Sequence, residues 1–193
     1  MANATAWRWQ VPGGNPIVEL MTSLTRGPDG LWRSPRSAAL APLAISGGLL
    51  LGALGFQYIG GLAPCALCLD QRYAHGAALL LAAGGLILRG RTGWLLVGLA
   101  GAAMLLSAGI GVFHVGVEQK WWQGPTGCSG GDLSGLSAAE AMRRLMETPV
   151  IRCDEVPWSL LGISMAGWNA IVSGLTGLAV AAGALSRFAR NSA

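Results

Sequence analysis

The chain has 193 residues, 52% of them hydrophobic and only 11% charged, where a soluble domain carries about a quarter charged residues. This balance excludes an ordinary water-soluble domain and points to a membrane protein. The formal charge of +4 does not indicate a nucleic-acid binder, because the basic residues neither cluster on one face nor alternate with aromatics. Glycine is abundant, with 30 copies; each would weaken a water-soluble helix, but in lipid small residues let helix backbones approach closely.

Residues 1–36 are polar, broken by Pro and Gly, and lack the apolar core of a cleavable signal. They read as a disordered tail, with Met21 a second possible start and Trp7, Trp9 and Trp32 as candidates for the headgroup region. Four uncharged or nearly uncharged runs follow, at 37–59, 69–88, 92–117 and 156–186. A hydrocarbon core of about 30 Å needs about 20 helical residues, so each is long enough to cross. None alternates with period two, as a barrel strand would. The expectation is an all-α membrane protein, a four-transmembrane-helix bundle over 37–186 with a short tail at 187–193.

Orientation follows from arginine placement. Arg8, Arg26, Arg33, Arg36, Arg89, Arg91, Arg187 and Arg190 fall on one side of such a bundle. Lys120, Arg143, Arg144 and Arg152 on the other side are diluted by six acids, Glu118 among them. The positive-inside bias therefore places both termini in the cytoplasm, with a short first and a long second loop (118–155) outside.

All four cysteines, Cys65, Cys68, Cys128 and Cys153, then lie on the non-cytoplasmic face, where disulfides persist. Two inert staples are one reading. Against it, a C-x-x-C ring is too short to remove much chain entropy and is a common redox device. A zinc site is disfavoured because Cys128 and Cys153 are widely separated with no histidine between them. Pro64 suits the first turn of the second helix, which would place both thiols of PCALC at its positive end. At 100° per residue Cys65, Cys68, Arg72 and His75 then share one face, within an arc of about 80°.

Arginine at that depth is either snorkelling or functional, and composition leaves both open; His75 reads first as a packing residue. An electropositive stripe beside a dithiol suits an apolar quinone as electron acceptor, with Arg72 at a ring carbonyl. In the long loop, Ser137 to Glu140 form an S-x-x-E capping box. Leu136, Met142, Leu145 and Met146 would line one side of the short helix that follows, expected along the membrane surface. Glycines around Cys128 supply the mobility that successive disulfide partners need. Trp121, Trp122 and Trp158 read as interfacial belt residues, and Trp168 and Asn169 as packing and hydrogen bonding inside the bundle.

The segments PCALCLDQR, FHVGVE leading into WWQGPTGC, and RCDEVPWSLLGISMAGWN resemble the disulfide bond formation protein B (DsbB) family, quinone-linked thiol oxidases of bacterial inner membranes, over about 37–186. The resemblance implies a four-helix bundle, bound ubiquinone or menaquinone, no metal, and a periplasmic thioredoxin-fold partner (DsbA) that the protein reoxidises. It implies that Cys65 and Cys68 pass electrons to quinone, that Cys128 and Cys153 take them from the partner, and that Cys65 and Cys153 exchange through an inter-loop disulfide. Arg72 and His114 correspond to quinone-site residues, with Cys68 facing the ring. Gln71 stands where the family often has an acid or another polar residue, which puts a proton-relay role there in doubt.

The C-x-x-C pair must be made more oxidising by strain and thiolate stabilisation, be pulled by quinone reduction, or both. A pair at a thioredoxin-like ~−270 mV oxidising a partner at ~−120 mV would run uphill by about 7 kcal/mol for two electrons. An enzyme of the vitamin K epoxide reductase type is the runner-up, disfavoured because its loop cysteines precede the C-x-x-C; a structural membrane protein with inert disulfides is the third reading.

Overall fold

The computed structural model describes residues 31–125, 135, 137–147 and 152–190. Cys128 and the tail before residue 31 lie outside these, as do Leu136 and the Leu145 and Met146 side chains. Four long helices form the body: α1 (Pro35–Tyr58), α2 (Ala66–Ile87), α3 (Gly90–Glu118) and α5 (Met165–Arg190). The short α4 (Ala138–Glu147) and a hairpin, β1 (Ser159–Leu160) with β2 (Ile163–Ser164), lie between α3 and α5. Three of the long helices, α1, α3 and α5, are long and apolar enough to cross a membrane. The fourth, α2, has comparable length but carries Asp70, Gln71, Arg72 and His75 in its first turns.

Local chemistry sets the boundaries. Ser34 caps α1 reciprocally with Ser37, and Pro35 occupies the first turn, where its missing N–H is no loss. The helix thus opens inside the expected tail. Trp32, in a 3-10 turn at Leu31–Arg33, stacks on Trp94 with ring centroids 6.5 Å apart. It is a packing residue rather than a headgroup anchor. Arg36 Nε donates to Leu86 O at 2.9 Å and so satisfies a carbonyl at the end of α2.

The α2 helix begins at Ala66, not at Pro64; Cys65 is the N-cap, and its sulfur accepts the Cys68 N–H at 3.3 Å. Ser137 Oγ accepts the Glu140 N–H and donates to the Glu140 carboxylate at the start of α4, the serine half of the expected capping box; Met142 on that helix is exposed. The largest departure is at the last helix, which starts at Met165 rather than near 156. Residues 159–164 pair antiparallel through a two-residue turn in which Leu161 and Gly162 have φ of 55° and 76°, the primed geometry that suits hairpins. An uncharged run does not distinguish a hairpin leading into a helix from a continuous helix.

The most extensive helix interface joins α3 to α5. A Cβ on Gly101 would sit 2.7 Å from Ala181 N, so this crossing requires glycine. Small residues fill the core at this end of the bundle: Ala38, Ala39, Ala82, Ala100 and Ala184 surround Trp94, Val97 and Val180.

Candidate functional site

At the other end, the C-termini of α1 and α3 meet the N-termini of α2 and α5 around a cavity of about 570 Å³. Leu49, Ala53, Phe56, Trp158 and Met165 give it apolar walls, and Cys65, Cys68, Arg72, His75 and His114 all line it. The helical stripe expected from spacing is therefore one wall of one cavity. Trp158 packs on Phe56 with centroids 5.0 Å apart, a cavity residue rather than a belt residue. Trp121 and Trp122 are exposed near the end of α3; Trp122 stacks on Phe113 and closes over Gly116, where any Cβ would collide with its ring.

The sulfurs form a continuous group. Cys65 and Cys68 are free thiols 2.8 Å apart, Cys65 buried and Cys68 partly exposed. Cys153, fully buried, is disulfide-bonded. Its sulfur, the Cys65 sulfur and a His114 ring nitrogen all lie within 4.8 Å of one another. Two cysteines far apart in sequence are thus within a small movement of thiol–disulfide exchange. As a metal set the cluster is short of donors, because the Cys153 sulfur is tied in a disulfide and only one thiol and one imidazole remain. The Cys65 thiol precedes α2; its hydrogen bond to Cys68, then its burial, push it well above the usual thiol range.

Arg72 is partly buried and anchored to α1, donating to Gln57 Oε1 and, at 3.2 Å, to Ala53 O. Among the described residues these contacts use two of its five N–H donors, leaving others for a ligand in the cavity. The residues present fit a quinone ring: the walls are apolar, the guanidinium has spare donors and a thiol lines the same cavity.

The sequence did not reveal the burial of Glu118 or the partners of Gln71, whereas Asn169 hydrogen-bonds inside the bundle and His75 is satisfied there, as expected. Glu118, expected among the loop charges, is buried, accepts from Ser164 Oγ, and has a carboxylate oxygen 3.9 Å from His114 Nε2. The four-residue spacing of His114 and Glu118 was the available signal. Gln71 is buried and bonded to His114 Nδ1 at 3.1 Å and to Asn169 Nδ2 at 2.7 Å. Asn169 reaches Ser107 as well, and its Oδ1 lies 2.8 Å from His75 Nε2. His75 is a satisfied interior residue, also held by Ser46 and Ser173, and it lines the cavity floor. Outside the helices, Arg152 makes two hydrogen bonds to Asp154, holding that carboxyl below its usual range.

The family model described as "Disulfide bond formation protein DsbB" matches residues 35–183. Proteins named "Disulfide bond formation protein B" are similar over most of their length. That of Verminephrobacter eiseniae is 39% identical over 76% of this chain and 84% of its own. That of Albidiferax ferrireducens is 35% identical over 74% and 83%, and that of Aromatoleum aromaticum 33% identical over 72% and 85%. No solved structure matches. With the helices, the dithiol and these relatives in agreement, the chain belongs to the DsbB family and is a multi-pass inner-membrane disulfide bond formation protein with a thiol oxidoreductase role.

Proposed function

We propose that the protein reoxidises a periplasmic thioredoxin-fold protein of the DsbA type and passes the electrons to a membrane quinone, ubiquinone or menaquinone. In this reading α2 crosses with α1, α3 and α5, since 22 residues span about 33 Å as a helix. Both termini face the cytoplasm and the cysteine end faces the periplasm. The observation that carries the proposal is the Cys65 sulfur, within 4.8 Å of Cys153 on one side and 2.8 Å from Cys68 on the cavity side.

A partner thiolate attacks Cys128 and releases Cys153 as a thiolate. Cys153 attacks the oxidised Cys65–Cys68 pair at Cys65; a Cys65–Cys153 bond forms as the Cys65–Cys68 bond breaks, and the electron pair stays on Cys68. A quinone, when bound, supplies a two-electron acceptor. Arg72 holds a cationic donor beside Cys68 and orients the ring, and Phe56 and Trp158 keep water from that face. His114 sits behind Cys65, with Nε2 3.7 Å from its sulfur.

Anaerobic titration of the purified protein with reduced partner and quinone tests this, following quinone absorbance and thiol count together. One quinone reduced for each two partner thiols oxidised is expected. Thiol oxidation without quinone reduction refutes the reading.

A further inference from the structure

His114 has one ring nitrogen toward Cys65 and Glu118 and the other toward Gln71. Which of the two carries the proton follows from a chain of amide orientations anchored on backbone carbonyls. Leu67 O can only accept, so the Gln71 group 3.2 Å from it is the NH₂. Asn169 is fixed in the same way, because its Nδ2 lies 3.3 Å from Ser107 O. Its donation to Gln71 Oε1 confirms the Gln71 orientation from the other end. One Gln71 N–H is used by Leu67 O, and the second points at His114 Nδ1. A donor in that position tolerates only a lone pair on Nδ1. It excludes the Nδ1–H tautomer and equally the doubly protonated ring.

We propose that Gln71, held by Asn169, is a positioning residue that locks His114 in its neutral Nε2–H form, so that this N–H is held between the Cys153 backbone carbonyl and the Cys65 sulfur. His114 then acts as a hydrogen-bond donor and not as a base. When an incoming thiolate bonds to Cys153 and the Cys65–Cys153 bond breaks, the electron pair stays on Cys65 and the Nε2–H donates to it. No proton changes hands in that step. A carboxylate at position 71 would reverse the polarity by drawing a proton to Nδ1. The groups facing the ring are Cys65, Gln71 and Cys153, whose backbone carbonyl also accepts from the ring, across the helix interfaces, and Glu118 on its own helix.

The role assigned to Cys65 rests on the proposed function; the tautomer does not, so the two fail separately. The chain has two histidines, and ring ¹³C and ¹⁵N shifts of the full-length reduced protein in nanodiscs report their tautomers. The His114 signals are assigned by their loss in His114→Gln. The wild type is expected to show His114 as Nε2–H between roughly pH 6 and 8; an Nδ1–H or doubly protonated ring overturns the proposal without any variant at Gln71. Gln71→Glu should move a proton onto Nδ1, and an unchanged tautomer overturns the lock. In a chain carrying Cys68→Ser, Cys128→Ser and Cys153→Ser, adding Gln71→Leu should slow iodoacetamide alkylation of Cys65 about tenfold, the size of one hydrogen bond to a charged atom. An unchanged rate would show that the locked N–H does not serve Cys65.

Discussion

The two ends of the bundle are built on opposite rules. Around Trp94 the helices touch through alanine and glycine, and Ala39, Ala82, Val97 and Ala100 have no exposed surface. Around Cys65 the same helices separate to leave about 570 Å³, and Gln71, His75, Ser107, His114 and Glu118 are buried with partners for their polar atoms. Close packing at one end is combined with an open, apolar-walled pocket backed by a buried polar network at the other. A buried polar network of this kind holds its shape only while every member is bonded, because an unpaired group in a medium of low dielectric is costly.

The sharpest way to break the comparison is to change each end and ask which property follows. Cys65→Ala should reduce partner-dependent quinone reduction to background while thermal unfolding hardly moves; Cys153→Ala should abolish turnover too, but it also removes a disulfide and should lower stability by about 2–4 kcal/mol. Cys68→Ala should also abolish turnover but accumulate a mixed disulfide, visible on non-reducing gels. Retained turnover in any of the three would remove the relay. At the other end, Gly101→Leu inserts a side chain where even a Cβ would lie 2.7 Å from Ala181 N. We expect a loss of about 3 kcal/mol or failure to assemble, against the 1–3 kcal/mol typical of overpacking. Activity per folded molecule should be unchanged, and a folded, stable Gly101→Leu protein would show that the α3–α5 contact is not close.

Between these lies Arg72→Met, which touches the cavity without touching sulfur. Loss of charge-assisted hydrogen bonds at about 1.5–3 kcal/mol corresponds to a rise in the apparent KM for quinone of at least tenfold. Partner thiol oxidation in a single turnover without added quinone should be unaffected. Equal loss in both assays would place Arg72 in the thiol exchange instead.

The sequence displayed one of these ends far better than the other. Cys65, Cys68, Arg72 and His75 were legible as one wall because helical periodicity alone puts residues three or four apart on a face. His114 came from resemblance, and its bonding to Cys65 and to Gln71, itself held by Asn169, did not, because those contacts join three helices and a loop and have no common spacing. Glu118 was misplaced for a related reason: its charge suggested solvent, whereas Ser164, brought over it by an unforeseen hairpin, gives the carboxylate a buried partner. The glycine-rich packing was visible as composition, but which pairs of glycines meet depends on how the helices cross.

The smallest expected effect concerns the flank of Cys153. Arg152 and Asp154 pair at 2.7 Å on the exposed edge of the cavity, one residue to either side of the cysteine. Exposed pairs contribute little and are screened by salt, so Asp154→Asn should not measurably shift the thermal midpoint. Whatever the pair contributes has a defined pH window. The Asp154 carboxyl is held below its usual range in the folded protein. The contribution is therefore full above the ordinary carboxylate pKa and is lost as pH falls through the lower folded value. A loop steadied by this pair should present Cys153 to Cys65 less consistently once it is gone. The expected result is a modest slowing of inter-loop disulfide formation in Asp154→Asn, seen in low salt by rapid quench and absent in high salt. A salt-independent slowing would mean that Asp154 acts through packing rather than through its charge.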